Sequence, residues 1–167
     1  MGKTGENLQS AFAGESQANR KYLAFAQAAD KEGYGMAARL FRAAAQAETV
    51  HALAHFRVMK GVKTTRENIK AAIAGEGFEF KEMYPKFLEE ARAEGEKGAV
   101  TNFSYALAVE KVHHGLYTEA LAEVEAGKKA PLQDIWVCPT CGNTMIGVPP
   151  EDCPICDTSK SKFMKIE

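Results

Sequence analysis

Apolar residues recur every three to four positions from about residue 6 to residue 126, the spacing that lines one face of an α-helix. Glycine-containing breaks divide this stretch into four segments. The first covers about residues 6–31 and stops at Glu32-Gly33-Tyr34-Gly35. The second covers about 36–60, with Gly61 as its stop. The third begins after Thr64, whose spacing to Glu67 is a capping-box pattern, and continues to about Glu94. Pro85 predicts a kink or a missing backbone hydrogen bond within it, and Gly75 and Gly77 weaken its first half. The fourth covers about 97–126 and ends at Gly127. Four long amphipathic helices predict an all-α bundle.

The pattern ends near residue 128. Before that point Pro85 is the one proline; after it come the other five of six, all four cysteines and the single tryptophan, Trp136. A linker at about 127–132 therefore separates a helical domain, 1–130, from a β-rich tail, 131–167. A bundle of that length buries a sufficient core. So short a tail does not, and needs a metal or disulfides to fold.

The inward helix faces carry charged residues where apolar ones belong. The fourth helix has a seam of Phe103, Ala106, Glu110, His113, Tyr117 and Ala120. The second has Phe41, Ala44, Glu48, His51, His55 and Val58, and the first has Leu8, Ala11, Phe12, Glu15 and Tyr22. Ionised groups in an apolar seam are costly unless paired or metal-bound. Glu48-x-x-His51 and Glu110-x-x-His113 each set a carboxylate and an imidazole one turn apart on one face. One such pair is weak, because a solvated charge beside a histidine is common. Two pairs on alternate helices, with Glu15 on the first helix and Glu79-x-x-Glu82 on the third, form the donor set of ferritin-like di-iron and di-manganese proteins. His55 is read as a neighbour of the ligands, and His114 as facing solvent. The Tyr22 hydroxyl is either a hydrogen-bond partner of a ligand carboxylate or part of the core.

The tail holds two C-x-x-C knuckles, Cys138/Cys141 and Cys153/Cys156, which together make a tetrahedral S₄ site. Spacing alone suits zinc and iron equally. Trp136 and Phe163 are placed to form a small core around it.

A net charge of −1 gives no electrostatic case for nucleic acid or an anionic membrane. No apolar run approaches the ~18 residues of a membrane span. The N-terminus shows no signal-peptide core. The thiols and the missing leader together lead us to expect a cytoplasmic protein with metal-bound cysteines.

The segments Ala11-Phe12-Ala13-Gly14-Glu15-Ser16-Gln17-Ala18, Glu48-Thr49-Val50-His51, Glu79-Phe80-Lys81-Glu82-Met83-Tyr84-Pro85 and Glu110-Lys111-Val112-His113, with the tetracysteine tail, closely resemble the rubrerythrin family. The resemblance implies a ferritin-like bundle, two irons in it, and one iron in a rubredoxin-like tetracysteine site. It also implies reduction of hydrogen peroxide to water, with electrons from a donor protein (rubredoxin or an NAD(P)H-dependent reductase) passing through the tail, and a homodimer. By position, Glu48 and Glu110 would bridge the irons, and Glu79 and His113 would bind one of them. Glu15 would bind the other, where Glu82 and His51 would alternate as catalytic ligands, with Tyr22 alongside. Hard carboxylates favour ferric iron and imidazole favours ferrous, which fits such an exchange. Because a flexible tail need not reach its own site, transfer between subunits is expected.

Two features depart from the family. Asp157 stands where the second knuckle usually has glycine; aspartate tolerates left-handed backbone better than most residues. The stretch from His51 to Glu79 is also short. Ferritin-like topology returns the chain along the bundle between helices two and three, ~35 Å of helix rise. Residues 61–65 span at most ~17 Å. Either residues 66–77 form the crossover, or two chains exchange helices, or the bundle runs up-down-up-down; exchange is the favoured arrangement. A ferroxidase or iron-storage protein is the main alternative activity, but it leaves the tail without a purpose. A sensing protein with structural zinc is the other.

Overall fold

The computed structural model describes residues 2–167. The chain divides into two compact units at Lys63/Thr64.

The first unit is a helical hairpin of α1 (Lys3–Lys31) and α2 (Gly35–Val58). Small residues let the two backbones approach. Ala38, Ala45 and Ala52, spaced by sevens, are buried on α2, and Asn19, Ala26 and Ala29 are buried on α1. Buried polar groups need partners. The Asn19 amide donates to the Ala45 carbonyl at 2.6 Å and to the Thr49 hydroxyl at 2.8 Å, fastening the hairpin beside its acidic residues. A Schellman motif ends α2: the Gly61 N–H reaches the Phe56 carbonyl at 2.9 Å and the Lys60 N–H reaches Arg57 at 2.9 Å. A Cβ on Gly61 would lie 2.2 Å from the Phe56 ring, so a larger residue fits here only if that ring moves.

The second unit opens with α3 (Thr65–Phe78), and the predicted capping box is present, Thr64 and Glu67 bonding reciprocally. The helix continues through a π turn (Glu79–Met83) into α4 (Tyr84–Glu94). Proline has no N–H and its ring clashes with the carbonyl four residues back, so Pro85 disfavours a regular turn. The chain widens by one residue there instead of breaking, the Tyr84 N–H bonding to Glu79. Residues 66–77 are therefore helix, and the crossover reading is corrected. Gly95, left-handed at φ 75°, turns the chain into α5 (Lys97–Glu125). His114 does not face solvent. Its ring packs edge-on against Phe80 at 5.2 Å and covers buried Gly77.

The tail folds as three short antiparallel strands, β1 (Ile135–Val137), β2 (Thr144–Ile146) and β3 (Met164–Ile166), in the order β2-β1-β3. Trp136 sits opposite Met145 on one side and Lys165 on the other. Cys138, Cys153 and Phe163 are buried, with Trp136, Met145 and Ile155 against them, which is the small core expected around the thiols.

Candidate metal centres

In the first unit α1 and α2 bring Glu15, Glu48 and His51 together, with one ligating atom from each lying within 4.8 Å of the others. His51 Nδ1 lies 3.1 Å from the Glu48 carboxylate. A hydrogen bond shared with Glu48 raises the Glu15 pKa, burial and the Glu48 charge add to the rise, and His51 and His55 oppose it. The same bond, helped by His51, lowers Glu48. Two carboxylates this close disfavour ionising together, and a divalent cation between them would relieve that repulsion. Tyr22 packs in an aromatic cluster of the hairpin, 6.2 Å from Phe41 and 6.3 Å from Phe25 between ring centroids.

In the second unit the group is Glu76, Glu110 and His113. His113 Nδ1 lies 2.8 Å from Glu110 and 3.8 Å from Glu76. Burial, a hydrogen bond shared with Glu110 and the charges of Glu110 and Glu79 push the Glu76 carboxyl up to about 7. Glu79 is raised by burial and by Glu110, with His113 opposing. The Tyr84 hydroxyl is raised by burial and then by Glu110, Glu79 and Glu76, so it too faces the carboxylates.

The third-helix carboxylates thus differ from the expected pair. Glu76 joins the ligand group, Glu79 lies beside it, and Glu82 is exposed. The π turn is the reason: its extra residue turns the following helix by about 100° relative to a regular α-helix. Sequence reading passed over Glu76 and Tyr84. Glu76-x-x-Glu79 has the same spacing as Glu79-x-x-Glu82, and Pro85 was the one available sign of an altered register.

In the tail the four sulfurs form a third group. Cys138 and Cys156 Sγ are 3.5 Å apart and Cys141 and Cys153 Sγ 3.6 Å. A disulfide measures about 2.05 Å, whereas sulfurs around a metal at ~2.3 Å stand ~3.8 Å apart. The spacing therefore fits a metal. Burial works against ionising Cys138, but backbone N–H groups of Cys141 and Thr140 and the neighbouring thiols bring it down to about 6. Both knuckles turn alike: the Gly142 N–H bonds the Cys138 carbonyl and the Asp157 N–H bonds that of Cys153, each at 2.9 Å. Gly142 has φ 87° and Asp157 φ 57°, so aspartate does adopt the left-handed turn. This domain lies against α5 of its own chain, with His113 Nε2 2.9 Å from the Thr144 hydroxyl.

Fold and donor sets together define a ferritin-like di-iron protein with an appended rubredoxin-like iron domain. The chain matches the rubrerythrin family over residues 6–121 and the rubrerythrin rubredoxin-like domain over residues 136–164. It is 37% identical to rubrerythrin-2 of Clostridium acetobutylicum, covering 96% of this chain and 95% of that one. It is 36% identical to nigerythrin of Nitratidesulfovibrio vulgaris, covering 98% and 86%. The solved structure of fully reduced, all-ferrous nigerythrin aligns with a TM-score of 0.59 at 34% identity, over 99% of this chain and 88% of that one. The chain belongs to the rubrerythrin family, the oxidoreductase-type di-iron proteins of the oxidative-stress response. Among the described residues no helix is long and apolar enough to cross a membrane.

Proposed function

We propose that the protein is a hydrogen peroxide reductase, taking electrons from a partner protein linked to NAD(P)H. The observation that carries this reading is the pairing of two acidic–histidine groups with an S₄ group in one chain. Irons held by these groups would supply the two electrons that cleavage of an O–O bond requires, and an iron on the four thiolates would return electrons one at a time. The balance is one peroxide, two electrons and two protons to two waters.

The chain's own residues do the rest. Glu15, Glu48, His51, Glu79, Glu110 and His113, joined by Glu76, hold the two irons, and Cys138, Cys141, Cys153 and Cys156 hold the third. The Glu76–Glu110 pair retains a proton to about pH 7 when metal-free, and binding of a cation displaces it; Glu15 beside Glu48 is shifted in the same direction. Tyr84 stands beside the second group, where a phenol hydrogen-bonds a ligand carboxylate and fixes its orientation, and we assign Tyr22 of the α1–α2 hairpin the same part at the first. The functional domains we assign are 1–130 and 131–167, and four thiols spaced for a metal support a reducing compartment such as the cytoplasm.

The working form we propose is a dimer that exchanges helices. Seven peptide steps from Val58 to Thr65 span at most ~25 Å, against ~36 Å for α2. Each site would then combine α1 and α2 of one chain with α3–α5 of the other.

The deciding experiment reduces the iron-loaded protein without oxygen, adds one equivalent of peroxide and follows the colour of the iron–thiolate centre. Prompt return of colour with loss of peroxide is expected. A tail that stays reduced while peroxide persists would sink the peroxidase reading in favour of a ferroxidase.

A further inference from the structure

α5 carries two stripes rather than one. The first, through Glu110, bears the acidic group. The second, Val109, His113, Leu116 and Ala120, steps by four, three and four residues along the adjoining face. The tetracysteine domain of the same chain lies along this second stripe. Val109, the buried residue of α5, meets the first knuckle at Gly142, where a Cβ would sit 3.8 Å from its side chain. His113 meets Thr144. Leu116 and Ala120 line a cavity with Ile135 and Ile146 of strands β1 and β2. His113 and Ala120 belong to both stripes, and His113 is the one with ligating atoms.

The hydroxyl of Thr144 has a single proton and donates it to the Gly142 carbonyl at 3.3 Å. At 2.9 Å from His113 Nε2 it then accepts from the imidazole N–H in the metal-bound form, where the metal takes the Nδ1 lone pair that here faces Glu110 at 2.8 Å. The other ring nitrogen, Nδ1, faces Glu110 and Glu76. A metal-binding histidine is set by what its second nitrogen does. We propose that Thr144 is a positioning residue that docks the tetracysteine domain on its own chain and holds His113 with Nε2 protonated and Nδ1 presented to the acidic group. The inference rests on the reading of His113 as a metal ligand. It replaces the expectation that the tail serves another subunit's helices: the tail belongs to the α5 that precedes it. His113 is thereby held at both ring nitrogens.

The test compares Thr144→Val, which keeps the shape and removes the hydroxyl, with Thr144→Ser, which keeps the hydroxyl. Both are made in the full-length chain with iron already in the tail. An unchanged iron–thiolate spectrum verifies that the tail is folded. Anaerobic calorimetric titration with ferrous iron reads the helix-borne site. Thr144→Val is expected to weaken binding by about 10-fold or more, while Thr144→Ser stays within about threefold of the parent. In zinc-loaded protein, imidazole nitrogen NMR should show His113 in the Nε2–H form in the parent and in Thr144→Ser, and a mixture in Thr144→Val. Unchanged affinity and tautomer in Thr144→Val would overturn the inference, and so would a loss in Thr144→Ser as large as in Thr144→Val. Peroxide turnover is not among these readouts. A parent protein that binds ferrous iron yet ignores peroxide would sink the peroxidase reading and leave this one standing.

Discussion

A carboxyl that keeps its proton to about pH 7 makes the metal-free protein sensitive to pH in a defined direction. Glu76 is raised above its ordinary value by burial and by the shared bond and charge of Glu110. Below pH ~4.5 it is protonated folded or unfolded. Between that value and about 7 the folded chain holds a proton that the unfolded chain has lost, so stability falls as pH rises through this window. Glu79 shifts the same way, whereas Glu48 shifts oppositely and offsets Glu15. Cys138, lowered to about 6, adds the opposite slope above that pH, so calorimetric scans of the metal-free protein should give a higher Tm at pH 5 than at pH 6. Glu76→Gln should remove most of that slope, because the amide has no proton to lose. A parent Tm that rises over the same interval would contradict the shared proton. Ferrous binding should release the proton, so affinity should increase with pH over the same range.

At the level of elements, the helices were legible because their signals are local and repeated. The periodic seams, Gly61 and the Thr64–Glu67 box lie in the chain itself, and the box bonds as its spacing predicts. Thr64→Ala should cost about 1 kcal/mol in urea unfolding, the ordinary worth of an N-cap. A loss well below that would mean that packing alone sets where α3 begins. The π turn was not legible, since one inserted residue leaves no trace in a hydrophobic pattern beyond the nearby Pro85. Its consequence is testable by contrast. Glu76→Ala should lower bound helix-site iron by about 10-fold or more in affinity, while Glu82→Ala should leave it near the parent. Equal losses would mean that the helix rewinds when metal binds. The second stripe of α5 was hidden for a different reason. Val109, Leu116 and Ala120 read as ordinary helix residues until the tail is seen against them.

The whole molecule raises a question that sequence posed and one further measurement answers. The first unit contributes two carboxylates and an imidazole, and the second contributes a like set with Glu79 beside it. A di-iron site needs donors from all the helices of a bundle. Residues 59–64 are too short to return along α2, and residues 66–77 do not supply the missing length because they are helix. Exchange between two chains satisfies both constraints, and it makes lesions in the two units complementary. Take one chain with Glu48→Ala and another with Glu110→Ala, unfold them together and refold with iron. Each variant alone has a damaged donor set in every site. In an exchanged mixed dimer one site collects both lesions, and the other collects an intact α1–α2 from one chain and an intact α3–α5, with its tail, from the other. Half of randomly paired dimers are mixed and each has one restored site, so peroxide turnover should return to about a quarter of the parent's. In a dimer without exchange every site keeps one lesion, and mixing restores nothing. The tail strengthens the contrast: docked through Thr144 on its own α5, it travels with the second unit. Deleting the tail from the Glu110→Ala chain should therefore leave the restored activity unchanged, whereas deleting it from the Glu48→Ala chain should abolish it.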